Sequence, residues 1–328
     1  MKNNQIGIIG VGYWGTNIVN VLHKLKIKKI FCYDKNIENL NEIKKKFPKV
    51  SIVKNLNLFL KSNFDGVIIS VDTKYHFNLA KKCLLSGYNI FVEKPATNKT
   101  AHLKILNQLS IQQKKFFMTG YIYFYNDHIK YIKETLKKRK LGKILYLSFE
   151  RFNLGPVRSD VSSAWDLSSH DLAILKFFFN KKLKISKFFG HDFLKKGIND
   201  ISQISGRVGD IKVDFKSSWL NPEKIRKIVI IGKKKMLLYN ELDFKEPIKI
   251  FNKYAEYPKI AKFNKKFFTQ KANIYQGSTF APKIKIKSPL ENEMIEFINC
   301  INKNKKPLTS IKLSINILET LEKLNRVK

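Results

Sequence analysis

The sequence predicts an α/β chain in two parts: a doubly wound parallel sheet first, then an α+β domain built on a large, mostly antiparallel open sheet. Three observations carry this expectation. A glycine-punctuated turn, QIGIIGVGYWGTNI from Gln5 to Ile18, joins a short apolar run to a helical pattern. Short apolar runs then alternate with helical periodicity as far as about Gly120, the pattern of parallel strands covered by helices on both faces. Beyond that point the alternation stops. From Lys184 to about Phe251, runs of Val, Ile, Phe and Tyr follow one another between Gly209, Pro222 and Gly232.

In the opening turn, Gly10, Gly12 and Gly15 form a G-x-G-x-x-G pattern between strand and helix. The first glycine permits a tight turn, the second lets backbone approach a pyrophosphate, and the third lets helix pack close to strand. The pyrophosphate would rest on the N-terminus of the helix beginning near Tyr13, where unpaired N–H groups and the helix dipole favour negative charge. A second strand, Lys29 to Tyr33, ends in Asp34, about twenty residues on, where a dinucleotide site places a carboxylate on the adenosine ribose. A carboxylate there repels a 2′-phosphate, so NAD is favoured over NADP; Lys35 tempers that preference.

The alternation continues with a helix from about Asn36 to Phe47, strands at Ser51 to Val53 and Gly66 to Val71, and a helix from Lys74 to Ser86 with Gly87 as its C′ residue. Asn89 to Val92 is a strand that runs into Glu93-Lys94-Pro95, Thr97 to Lys114 a helix, and Phe116 to Tyr121 a strand. These make a Rossmann-type domain over residues 1–122. The second domain, 123–328, opens with a helix at about Asp127 to Lys140, a strand at Ile144 to Phe152 and a helix at Ser168 to Phe179, and closes with helices at about Leu290 to Asn302 and Ile311 to Arg326.

Length and composition narrow the function. The 328 residues are ample for two cores, and an apolar fraction of 44% is that of an ordinary globular protein. No apolar run approaches the roughly eighteen residues needed to cross a bilayer. The first strand begins by Gln5, which leaves no room for a signal peptide, so a cytoplasmic protein without a membrane partner is expected. Cys32, Cys83 and Cys300 are odd in number and widely spaced; they read as reduced core thiols, with no metal site. The net charge of +37 suggests an anionic partner, but its lysines are spread over polar helix faces from Lys24 to Lys328. A solvated surface is expected, not a specific nucleic-acid site.

Two stretches carry candidate chemistry. Glu93-Lys94-Pro95 stands at the C-terminal end of a parallel strand, where open α/β sheets bind ligands. Asp166, His170 and Asp171 stand in WDLSSHDLAI, with Asp166 and His170 four apart and so on one side of a helical turn. A carboxylate beside an imidazole stabilises its protonated form and fixes its tautomer, and such a pair can take and return a hydroxyl proton near neutrality. A Lys-Pro pair after a strand also serves as a plain turn, and an Asp before a helix as its N-cap. His76, His102 and His128 lack such settings and read as structural or surface histidines, although His76 borders the expected cofactor cleft.

The glycine loop GVGYWG, the strand-end YD, FVEKP and WDLSSHD occur in an order and at spacings that resemble the glucose-fructose oxidoreductase, inositol dehydrogenase and rhizopine-catabolism (Gfo/Idh/MocA) family, over essentially the whole chain. The closing LENEMIEFINCINKNKKPLTSIKLSINILETLEKL looks like that family's C-terminal helices. The resemblance implies an NAD-dependent dehydrogenase acting on a CH–OH group, assembled as a homodimer or homotetramer through the exposed face of its second sheet. Gly10, Gly12, Tyr13, Trp14, Gly15, Asp34, Glu93 and Lys94 would serve the cofactor. Lys94 would hydrogen-bond the reacting hydroxyl, its bond to Pro95 often being cis in the family, with His170 as acid/base and Asp166 orienting it.

The segment RFNLGPVRSDVSSAWDLSSHD resembles, through its R-x-N-L-G-x-x-R-x-D-V core, a branch acting on nucleotide-linked amino sugars or their uronates. Arg151 and Arg158 offer planar bidentate donors suited to phosphate or carboxylate, with Asp171 beside them as a further substrate contact; a structural salt bridge is the other reading of each arginine. Oxidation of a ring hydroxyl, at C3, of a UDP-N-acetylhexosamine or its uronate is the resulting expectation. A free-sugar or inositol dehydrogenase and a non-catalytic NAD-sensing regulator are the alternatives. The chain departs from the family in two places: Val71-Asp72-Thr73 replaces a Thr-Pro pair, and Gly120-Tyr121 leads into Ile122-Tyr123-Phe124 where many members carry Gly-His and a following Arg.

Overall fold

A computed structural model describes residues 3–159, 161–257 and 272–324. Asp160 of the R-x-N-L-G-x-x-R-x-D-V core and residues 325–326 of the expected closing helix lie outside these. The chain divides into two compact units, Met1–Asp127 with Ile286–Thr320, and His128–Lys285 with Leu321–Lys328.

The first unit is built on six parallel strands: β1 (Gln5–Ile9), β2 (Lys29–Tyr33), β3 (Ser51–Ile52), β4 (Gly66–Ile69), β5 (Asn89–Glu93) and β6 (Phe117–Gly120), in the order β3-β2-β1-β4-β5-β6. That is the doubly wound dinucleotide-binding order, with the topological switch between β1 and β4. β4 and β6 are buried at every position, as a sheet covered on both faces requires. Helices α1 (Tyr13–Lys24), α2 (Ile37–Lys46), α3 (Leu56–Leu60), α4 (Thr73–Leu85) and α5 (Thr100–Gln112) connect the strands. α2 starts where the Asn36 side chain accepts the Glu38 N–H, with lysines at 44 to 46 in its last turn. α4 is followed by Gly87 in the left-handed region, φ +81°, the expected C′ glycine.

The second unit holds α6 (Asp127–Lys137), whose first residue belongs to the first unit, and α7 (Ser169–Phe179). Its sheet comprises β7 (Ile144–Leu154), β8 (Lys184–His191), β9 (Ile201–Val208), β10 (Ile211–Ser218), β11 (Leu220–Gly232), β12 (Met236–Asn240), β13 (Ile248–Glu256) and β14 (Asn273–Phe280), ordered β14-β13-β12-β11-β7-β10-β9-β8. Only the β7–β10 pair is parallel. Phe149 and Phe215 stack across it, centroids 4.9 Å apart, and Trp219 is fully buried. β14, which the apolar runs do not signal, is exposed along its whole length.

The closing helices α8 (Pro289–Lys303) and α9 (Ile311–Leu324) depart from the expected division. Placed with the second domain by chain order, they pack for the most part in the first unit, as far as Thr320. The reason is a fit on β4 and β5. Gly66 has no side chain, and a Cβ there would stand 2.7 Å from Ile301 Cδ1 and 2.8 Å from Phe297 Cζ. Phe297 meets Phe91 and Phe116 edge-on, centroids 6.0 and 5.8 Å away. Beside β6, the Thr119 N–H donates to Thr309 O (2.8 Å), and the hydroxyls of Thr119 and Ser314 lie 2.7 Å apart, which covers an otherwise bare sheet edge. No described helix is long and apolar enough to cross a membrane.

Phe297→Ala removes the ring that joins this segment to the sheet, and a loss of about 3–5 kcal/mol of unfolding free energy is expected. Denaturant unfolding of the full chain measures it; a loss below about 1 kcal/mol would mean that α8 is a surface addition.

Candidate functional site

In the glycine turn each residue answers to a different constraint. Gly10 has φ +91°, and a Cβ there would lie 2.3 Å from Ser70 O; a Cβ on Gly15 would lie 2.0 Å from Gly10 O. Both are therefore excluded to larger residues by backbone, which cannot yield as a side-chain end can. Gly12 differs: nothing lies within 4 Å of its missing Cβ. It is the N-cap of α1 and has no side chain to cap the first-turn amides, so the helix N-terminus opens on free space. Tyr13, next in the chain, is 86% exposed.

Asp34 is fixed beside this turn. Its Oδ2 accepts the Val11 N–H (2.9 Å) and the Asn39 amide (3.1 Å), and its Oδ1 the Asn36 N–H (2.9 Å). An uncapped helix N-terminus, an open Gly12 and a carboxylate held at the end of β2 fit the pyrophosphate and adenosine ribose of NAD. The carboxylate again disfavours a 2′-phosphate. Lys35 turns to the exposed Tyr75, its Nζ 3.4 Å from the phenol oxygen and 5.0 Å from the ring centroid.

The Glu93-Lys94-Pro95 segment is tied to the glycine helix. The Trp14 indole N–H donates to Glu93 Oε1, and the Lys94 N–H to Glu93 Oε2 at 3.3 Å. Burial pushes the Glu93 carboxyl up to about 7, against the Trp14 and Lys94 hydrogen bonds and the Lys94 charge, which all favour the anion. The Lys94–Pro95 peptide is cis. On the other side stands a residue that the sequence reading set aside. His76 is 1% exposed and lies between two carbonyls, its Nε2 2.8 Å from Val71 O and its Nδ1 2.9 Å from Pro95 O. Burial lowers its pKa, and the neutral ring has one proton to give to two acceptors. Its signal in the sequence was its place in the first turn of α4, at the C-terminal edge of the sheet.

In the second unit, Asp166 lies in a widened π-helical turn, Ala164–Ser168, which runs directly into α7, where His170 occupies the second position. Such turns occur often at functional sites. Asp166 Oδ2 accepts the Trp219 indole N–H at 3.4 Å, and its Oδ1 lies 3.8 Å from Arg158. Beneath the turn the hydroxyls of Ser163 and Ser202 meet at 2.9 Å and that of Ser217 reaches Ser163 at 3.5 Å, fixing the turn on β9 and β10. Asp166 and Arg158 both keep partial exposure, 19% and 31%.

Arg151 and Asp171 differ from the expectation of substrate contacts. Arg151 on β7 donates through Nε to both Asp171 oxygens, 3.2 Å each, and through a terminal nitrogen to Oδ1 at 2.7 Å, with side chains only 6% and 3% exposed. A guanidinium engaged bidentately inside the unit is scaffold: the pair ties the start of α7 to the sheet, with Glu241 3.9 Å away on the rim. Among the described residues, no group of three or more His, Cys, Asp or Glu could hold a metal.

Two predictions follow from these contacts. Gly12→Ala should melt within about a degree of the wild type yet lose tenfold or more in NAD affinity, whereas Gly15→Ala should lose stability itself; titration calorimetry and thermal melts separate the two. Asp171→Ala leaves a buried guanidinium without its carboxylate and should cost about 3–5 kcal/mol in denaturant unfolding.

Residues 4–121 match the model of the Gfo/Idh/MocA family, described as an oxidoreductase family with an NAD-binding Rossmann fold. No curated protein matches the chain by sequence. The solved UDP-N-acetylglucosamine 3-dehydrogenase GnnA from Acidithiobacillus ferrooxidans is similar with TM-score 0.80 at 19% identity, over 99% of this chain and 97% of that one. An apo scyllo-inositol dehydrogenase from Lactobacillus casei is similar with TM-score 0.79 at 17% identity, over 99% and 96%. A 3-ketoreductase from Actinomadura kijaniata, solved with TDP-benzene and NADP, is similar with TM-score 0.79 at 10% identity, over 99% and 98%. At these identities the likeness is one of fold. The match thus lies in the first part of the chain, residues 4–121, and is to the NAD-binding Rossmann fold of the Gfo/Idh/MocA oxidoreductase family.

Proposed function

We propose that the chain is an NAD-dependent dehydrogenase interconverting a ring hydroxyl and a ketone, at C3, on a nucleotide-linked amino sugar or its uronate. The observation that supports it most is the anchoring of Lys94. Glu93 is bonded to Trp14 of the glycine helix and Pro95 O to His76 of α4, so the lysine is held at the edge of the sheet that carries the dinucleotide fingerprint. In this reading the amides at the start of α1 hold the pyrophosphate and Asp34 the adenosine ribose. Lys94 hydrogen-bonds the reacting hydroxyl and stabilises its developing negative charge, His170 takes the hydroxyl proton, and Asp166 orients the imidazole. Bound NAD supplies the hydride acceptor, so loss of a proton and a hydride leaves the neutral ketone.

The substrate class rests on Arg158. Unlike Arg151, it keeps a third of its side chain open while facing Asp166, and its guanidinium suits a phosphate or carboxylate. The sugar-nucleotide dehydrogenase and the TDP complex among the similar structures are in keeping with that class. A homodimer or homotetramer belongs to the same reading, with sedimentation as its measure.

The test follows reduced-nicotinamide absorbance with NAD and UDP-N-acetylhexosamines, their uronates, free sugars and cyclitols. Turnover confined to the nucleotide sugars is expected, and His170→Ala should lower kcat on the order of a hundred-fold or more. An unchanged rate in that variant overturns the role of His170. Turnover with cyclitols or free sugars alone overturns the substrate class, and NAD binding without any turnover favours a redox sensor.

A further inference from the structure

Glu293 is the one acidic residue on the stripe that α8 turns into the first unit, between Leu290 and Met294, Phe297 and Ile298. It is 1% exposed, and among the described residues its Oε1 has no hydrogen-bond partner. The titratable groups near it come from two other elements. Tyr125, in the 3₁₀ turn Ile122–Tyr125, has its hydroxyl 3.1 Å from Thr309 Oγ1. Glu296 and Cys300 lie farther along α8 and, with Glu293, act on that phenol. Glu93, at the end of β5, acts on Glu293 itself. None of these is a cation.

An ionised carboxylate in such surroundings loses its hydration with nothing in return, whereas the neutral acid is far cheaper to bury. Glu93 is provided for in the opposite sense: an indole N–H on one oxygen, a backbone N–H on the other, and the Lys94 charge nearby. We propose that Glu93 and Glu293 form a carboxyl pair in which only Glu93 ionises as pH rises through neutrality while Glu293 is kept as the neutral acid, so that Glu293 is a positioning residue acting through Glu93 on Lys94 and Trp14. The inference rests on the cofactor-side reading of Lys94 but not on any substrate. Were Glu293 ionised, repulsion would drive the proton onto Glu93 and weaken the acceptor that joins Trp14 to the Lys94 segment.

The pH response has a definite sign. Burial raises both carboxyls, Glu93 from the ordinary 4.5 to about 7 and Glu293 well above its ordinary range, the latter helped by the Glu93 charge. Each binds its proton more tightly folded than unfolded. Their stabilising contribution is full below about 4.5, falls as pH rises through about 7 for Glu93, and goes on falling above that for Glu293.

The experiment uses the full chain without cofactor or substrate. The Trp14 fluorescence, taken as wild type minus Trp14→Phe, is titrated from pH 5 to 9 in the wild-type, Glu293→Gln and Glu93→Gln backgrounds, with melting temperatures at each pH. A transition near pH 7 is expected in wild type and, unmoved, in Glu293→Gln, whose amide imitates the neutral acid; Glu93→Gln should lack it. Glu293→Gln should also gain several degrees over wild type between pH 5 and pH 8. A transition that falls by a pH unit or more in Glu293→Gln, or a melting difference flat with pH, overturns the proposal. Those two readouts decide it even if Glu93→Gln fails to fold, and neither depends on turnover, so failure of the sugar reading would leave them intact.

Discussion

The approach of α1 to the end of β1 is the constraint on which the cofactor half depends. With Gly10 O only 2.0 Å from where a Gly15 Cβ would stand, the helix starts as close to the strand as backbone allows. That closeness brings the unpaired first-turn amides to the sheet edge beside Asp34, and it sets where Trp14 points. β5 lies two strands from β1, with β4 between, roughly 10 Å across the sheet. A side chain as long as an indole spans that gap and a short one does not. The Trp14–Glu93 bond is thus a consequence of the glycines, and Lys94 inherits its tether from it.

The first unit is complete only when the chain returns to it. β1 to β6 leave a face at β4 and β5 that Phe297 and Ile301 cover, and an edge at β6 that Thr309 and Ser310 pair with. Contacts so far apart in sequence carry a large loop-closure cost, which many apolar contacts must offset together. The return also explains how Glu293 comes to face Glu93, two hundred residues earlier in the chain.

What the sequence revealed was what backbone periodicity and special conformations encode. The glycines, the strand-end Asp34, the β5 terminus with Lys94, and the left-handed Gly87 all mark positions where local geometry restricts the residue. α3, five residues long, and the π turn at Ala164–Ser168 carry too few residues for a period to show. Arg151 was legible as a guanidinium and Asp171 as a carboxylate, but that strand β7 and helix α7 set them face to face is a fact of packing. His76 and Glu293 were hidden for the same reason. Glu293 sits in the charged run LENEMIE, and only the stripe Leu290, Met294, Phe297 shows that it turns inward.

The two units neutralise interior carboxylates differently, and the difference follows from what each can bring to them. In the second unit Asp171 has a planar guanidinium on the neighbouring strand, which engages it bidentately. In the first, Glu293 lies near Tyr125 and a second carboxyl, and among the described residues no cation acts on it. Long cationic side chains snorkel readily at surfaces and pair poorly in a tight apolar layer. Protonation is the remaining route to neutrality there. The second unit thus answers a buried carboxylate with a guanidinium, and the first, under the proposal, with a proton on Glu293 beside the segment that carries Lys94.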